Sequence, residues 1–162
     1  MPAPPTLFLD FDGVLHPNLA DPSQLFKQAP LLDDALDGQA LQIVVSSSWR
    51  FQSDLAGLRS VLPQKLQAKV CDVTGPAHVG RHARWHEIKA YCTAGGITNW
   101  RALDDAFFEF PKDCEQLILC EGSRGLQTAQ CESLKRWRKN GCEWMFNWFS
   151  YHTMKYMMVG YQ

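Results

Sequence analysis

The order of apolar segments predicts a single three-layer α/β/α domain, with helices on both faces of a mainly parallel five-stranded sheet. Two observations carry this expectation. Five short runs rich in β-branched and aromatic residues punctuate the chain, and they are apolar at consecutive positions, as suits strands covered on both faces. Segments with helical spacing lie between them, and strands alternating with helices build βαβ units with right-handed crossovers. The 162 residues match one ordinary domain, residues 1–162, and no internal repeat or linker-like stretch divides them.

Thr6–Asp10 is the first expected strand. Leu15–Gln39 carries three prolines together with Asp33, Asp34 and Asp37, which reads as a loop followed by an irregular helix. Leu41–Ser46 is the second strand. Ser53–Leu62 follows as a helix, with Leu55, Leu58 and Leu62 on one stripe and Pro63 as its break. After the third strand, Lys69–Val73, comes a helix over Ala83–Thr93 that sets Trp85, Ile88 and Cys92 on one face and stops at Gly95-Gly96. Trp100–Leu103 and Gln116–Cys120 complete the strands. Thr128 is the expected N-cap of a last helix ending at Asn140-Gly141. From Trp144 the composition shifts, because seven of the 19 aromatics and four of the five methionines fall in the last 19 residues. That extension, about 144–162, reads as a closing strand or helix on the core. A homo-oligomer contact or a substrate platform is the alternative.

At 46% hydrophobic and 20% charged, the composition excludes collagen-like and wholly disordered chains. A net charge of −1 argues against attachment to nucleic acid by bulk electrostatics. The six cysteines form no C-x-x-C pair and no Cys/His group with zinc-finger spacing. Met1-Pro2-Ala3-Pro4-Pro5 lacks a basic segment followed by an apolar run, so the expectation is a reduced, cytoplasmic protein. The apolar runs are too short to cross a bilayer, and no membrane partner is expected.

Chemistry gathers at the ends of the strands. Leu7-Phe8-Leu9-Asp10-Phe11-Asp12-Gly13-Val14 is an apolar strand ending in two carboxylates at i and i+2, then a glycine that lets the backbone turn away. Alternation along a strand would place Asp10 and Asp12 on one side at the carboxyl end, the edge where open α/β sheets bind ligands. Two carboxylates held close call for a cation or a shared proton. The bland reading is an aspartate turn, and this motif alone does not decide between the two. The second strand ends in Ser46-Ser47-Ser48-Trp49-Arg50, hydroxyls suited to a phosphate oxygen or to capping the next helix. Asp104-Asp105 ends the fourth strand, and Mg²⁺ takes oxygen ligands of this kind. Arg81 and Arg84 flank a helix start, where the macrodipole gives a cation nothing, so pairing with a carboxylate or phosphate is the alternative to an ordinary surface arginine.

In this order the four pieces resemble the haloacid dehalogenase (HAD) superfamily of phosphohydrolases. Phe8-Leu9-Asp10-Phe11-Asp12-Gly13-Val14-Leu15-His16-Pro17 and Val44-Val45-Ser46-Ser47-Ser48-Trp49-Arg50 are most similar to small HAD domains associated with RNA-repair proteins. Arg84-Trp85-His86-Glu87-Ile88, Ala102-Leu103-Asp104-Asp105 and Gly125-Leu126 extend the match, over roughly residues 6–139. The resemblance implies a Rossmann-like core with a minimal cap, and a phosphatase working through an aspartyl-phosphate. By it Asp10 is the nucleophile and Asp12 the general acid and base. Ser46, with Ser47 as its neighbouring candidate, binds the transferring group, and Arg84, or failing it Arg81, neutralises charge. Mg²⁺ is held by Asp10, the Asp12 backbone carbonyl, and Asp104 or Asp105. Glu121 stands where close relatives carry aspartate.

Only 33 residues separate Asp12 from Ser46 and 37 separate Ser46 from Arg84, which leaves no room for a large cap. In this superfamily an open site suits large phosphorylated substrates such as an RNA or DNA end or a phosphoprotein. A small-molecule or nucleotide phosphatase, and a catalytically weak module that binds phosphorylated ends, are the alternatives. Lys135-Arg136-Trp137-Arg138-Lys139 reads as a solvated helix face with Trp137 buried, rather than as a phosphate contact.

Overall fold

The computed structural model describes residues 3–138. Five strands, β1 (Thr6–Leu9), β2 (Gln42–Val45), β3 (Val70–Val73), β4 (Trp100–Asp104) and β5 (Leu117–Leu119), form one sheet in the order β3-β2-β1-β4-β5. Every pairing is parallel, and the register at the centre runs from Thr6 opposite Gln42 and Trp100 to Leu9 opposite Val45 and Leu103. This is the α/β architecture that the sequence predicts.

Among the described residues, α1 (Ala29–Ala35), α2 (Leu55–Ser60), α3 (Gln64–Lys69) and α4 (Ala83–Gly95) connect the strands, and α5, residues 128–138, follows β5. Successive strand residues point to opposite faces, so the sheet supports two cores. Leu7, Leu9, Ile43, Val45 and Leu103 pack with Leu32 of α1, Leu58 of α2, Leu66 of α3 and Leu134 and Trp137 of α5. Phe8, Val44 and Ala102 meet Ile88 and Cys92 of α4 on the other face. The chain therefore winds outward from β1 on one face, then crosses back by α4 on the other. That reversal opens a crevice between the carboxyl ends of β1 and β4, the position where such sheets bind ligands.

Local chemistry explains where the elements differ from expectation. The helix expected over Ser53–Leu62 is shorter, because Asp54 is its N-cap and accepts from the Gly57 N–H. The unexpected α3 follows Pro63 and buries only Leu66, too little to mark a stripe. Pro30 sits in the first turn of α1, where a missing N–H costs nothing, and a short 3₁₀ turn, Pro22–Gln24, precedes it. Trp137 is buried, as expected. The end of the last helix and the aromatic segment 144–162 lie outside the described residues, as does Cys142. The other five cysteines are free thiols. Among the described residues no helix is long and apolar enough to cross a membrane.

Candidate active site

Ladder hydrogen bonds run one residue past the strands and fix the starting point of each loop. The Asp10 N–H donates to the Leu103 carbonyl, Ser46 N–H to Leu9, Thr74 N–H to Val45 and Cys120 N–H to Asp104. Asp10, Ser46 and Asp104 are thereby brought to one edge around the crevice. All three are buried, Asp10 at 5% exposure and Ser46 and Asp104 at 1% each.

The carboxylates of Asp10, Asp104 and Asp105 offer ligand atoms within 4.8 Å of one another. Asp104 uses Oδ1 to accept from the Ala106 N–H at 2.9 Å, while its buried Oδ2 accepts no hydrogen bond. Asp105 leans against Gly13 and Gly122, where any Cβ would collide with its carboxylate, and the Asn18 Nδ2 donates to it at 2.6 Å. Gly13 has φ +69°, so glycine here serves both the turn and the close approach.

Arg84 reaches back from the first turn of α4. Its Nη1 lies 3.3 Å from Asp10 Oδ1 and 3.2 Å from Asp104 Oδ2, ion-pair distances without hydrogen-bond alignment to either. Burial works against its charge, but the Asp104 and Asp10 carboxylates outweigh it and hold Arg84 more firmly protonated. Burial and the neighbouring Asp10 push the Asp104 carboxyl up to about 7, against the pull of Arg84. Burial also raises Asp105, against its hydrogen bond from Asn18.

Three carboxylates facing one guanidinium leave about two net negative charges when all are ionised. That balance, an unpartnered buried oxygen on Asp104 and an all-oxygen donor set fit a hard divalent cation. The Ser46 Oγ is buried and has no hydrogen-bond partner, which leaves a donor free at the same edge. Thr74 Oγ1, at the end of β3, is equally unpartnered, and nothing in its sequence context singles it out.

The other expected residues are placed differently. The Ser47 Oγ accepts from the Trp49 N–H at 3.4 Å, so this hydroxyl caps the turn after β2. Arg81 is exposed and makes no ion pair with the aspartates; of the two arginines, it is Arg84 that reaches the crevice. Because β1 ends at Leu9, strand alternation does not direct Asp12. Its carboxylate lies outside the three-aspartate cluster, taking the His16 Nε2 at 3.0 Å on Oδ1 and the Trp49 Nε1–H at 3.0 Å on Oδ2. Glu121 is exposed and accepts from Ser123 Oγ.

Sequence reasoning missed a second arginine. Arg50 donates to the Ser46 and Ser47 carbonyls at 2.8 and 3.0 Å, to Gly75 O at 3.3 Å and to Glu87 Oε2 at 2.7 Å, and it lies over the Phe51 ring. Glu87 Oε1 in turn accepts from the His78 N–H at 2.9 Å, tying the loop before α4 to the Ser46–Ser47 turn.

A five-stranded parallel sheet with this winding, and acidic residues at the reversal between β1 and β4, is consistent with a Rossmann-like core of the haloacid dehalogenase class. The family described as the HAD domain in Swiss Army Knife RNA repair proteins matches residues 6–131, and the chain belongs to that family. No curated protein and no solved structure matches the chain. Membership points to a hydrolase of the phosphatase type.

Proposed function

We propose that the chain is a divalent-cation-dependent phosphomonoester hydrolase in which Asp10 attacks phosphorus. The observation that carries this reading is the placement of Asp10 at the sheet reversal, 3.3 Å from the Arg84 guanidinium and at the same edge as the unpartnered Ser46 hydroxyl. A nucleophile, a cation and a free donor then surround one place for a phosphoryl group. Asp10 forms its bond to phosphorus as the ester P–O bond breaks, and the leaving oxygen takes a proton from Asp12. Asp12 next takes a proton from water as the water oxygen bonds to phosphorus and the Asp10–phosphorus bond breaks, which releases phosphate and restores both side chains. Mg²⁺, held by Asp10, Asp104 or Asp105 and the Asp12 carbonyl, would offset the charge that separates an anionic ester from an anionic nucleophile.

A nucleic-acid end is the substrate we favour. The family description names RNA repair proteins. Between Asp12 and Ser46 the chain builds only a 3₁₀ turn, α1 and β2, so this stretch holds no inserted domain. Exposed Phe51, Phe107 and Phe108 lie in the loops after β2 and β4, where bases could stack.

The test is turnover of p-nitrophenyl phosphate with Mg²⁺. Asp10→Asn should reduce kcat by at least about 10⁴-fold, as loss of a nucleophile does. Persistent turnover in that variant would falsify the assignment. Oligonucleotides with 3′- or 5′-phosphates should be cleaved with higher kcat/KM than nucleoside monophosphates, and with a stronger salt dependence.

A further inference from the structure

The environment of Asp12 contains more than a general acid requires for itself. Its two oxygens each accept one hydrogen bond, from residues on different loops, although the side chain is 47% exposed and could be solvated instead. His16 is only 2% exposed, and its other nitrogen, Nδ1, faces the Phe26 N–H at 3.4 Å. A ring nitrogen that accepts from a backbone N–H carries no proton. With Nδ1 facing the Phe26 N–H, Nε2 is the ring nitrogen left to donate to Asp12. Phe26, which supplies that N–H, adopts φ +59°, a left-handed conformation that a non-glycine residue rarely takes.

Trp49 is fixed just as firmly. Its ring contacts Phe11, Phe26 and His16 edge-on at centroid separations of 5.9, 5.3 and 6.0 Å, and its backbone N–H is capped by Ser47. Aromatic packing alone would be satisfied by phenyl rings at both positions. What the imidazole and the indole add is one N–H apiece, and both are aimed at the same carboxylate.

The geometry points to His16 and Trp49 as positioning residues for proton transfer by Asp12: together they hold its carboxylate in one orientation relative to the leaving oxygen. This inference rests on the hydrolase reading above. If it is right, their loss should matter in proportion to how much the leaving group needs a proton. An alkoxide is a poor leaving group and needs one; a nitrophenolate departs without one.

The experiment compares kcat/KM for an alkyl ester, glycerol phosphate, with that for p-nitrophenyl phosphate. It uses the full chain with Mg²⁺, as wild type, Trp49→Phe, His16→Gln and His16→Leu. The kcat/KM ratio reports the steps up to ester cleavage, where the leaving group differs. Trp49→Phe should lose about 30-fold on glycerol phosphate and no more than about 3-fold on the nitrophenyl ester. His16→Gln, which keeps a donor, should retain more glycerol phosphate activity than His16→Leu. Thermal melts identify any variant that fails to fold, and Trp49→Phe, which keeps an aromatic ring, is the variant that then decides. Equal losses on both esters, or no loss on either, overturn the inference while leaving the hydrolase reading intact. A wild-type protein inert on both esters overturns the two together.

Discussion

Two arginines whose side chains are largely withdrawn from solvent stand at the same edge of the sheet, and they are partnered in opposite ways. Arg50 spends its donors on three backbone carbonyls and one carboxylate, with the ion pair to Glu87 sealed at 3% and 6% side-chain exposure. Arg84 sits between two carboxylates at 3.2–3.3 Å, with its buried Nη1 aligned to neither. The first arrangement is complete, and it fastens the loops after β2 and β3 to α4. The second is incomplete in its hydrogen bonding and in its charge, and the proposed reading gives that room to a phosphoryl group and a divalent cation.

The sharpest way to break this contrast is to remove Arg50. Arg50→Met should destabilise the fold by about 3–5 kcal/mol in chemical denaturation, because Glu87 is left buried and uncompensated. Adding Glu87→Gln should recover part of that loss. A loss below about 1 kcal/mol would show that the pair is not the fastening it resembles.

Arg84→Ala should act the other way. With Mg²⁺ present it should fold, and kcat/KM on p-nitrophenyl phosphate should fall about 100-fold, the scale of losing one charged donor to a transition state. Arg84→Lys keeps the charge without the planar fork and should lose less. Arg81→Ala should stay within about twofold, and an Arg81 effect as large as that of Arg84 would reverse their assignment.

The smallest effect is on stability against pH. The folded protein holds the Asp104 carboxyl up to about 7, above the value of about 4 in an unfolded chain. The fold therefore binds this proton more tightly, and the associated stability is lost as pH rises from about 4 through about 7. Without metal, wild type should melt several degrees lower at pH 8 than at pH 5.5, relative to Asp104→Asn measured in parallel. Mg²⁺ should raise the wild-type melting temperature more at pH 8 than at pH 5.5.

Much of this was legible in the chain, and what was not has physical reasons. The strands announce themselves because residues such as Leu7, Phe8 and Leu9 must be apolar on both faces of a covered sheet. Arg81 and Arg84 are equally legible as cations set against a helix dipole, and only the fold shows that Arg84 is the one placed beside carboxylates. The partners of Asp12 are not legible in the sequence, since Trp49 comes from another loop and nothing around His16 ties its ring to a carboxylate. The two glycines that receive Asp105 lie on either side of it in sequence, at positions 13 and 122, and only the fold brings them together. The short α3 carries too few buried positions to impose a period.

The pairing of β1 with β4 has one more consequence. Thr6 and Trp100 are far apart in sequence, so the cluster of Asp10, Asp104 and Asp105 exists only where β1 and β4 are paired. A nascent chain that ends before Trp100 already holds Asp10 but has neither Asp104 nor Asp105 to set beside it.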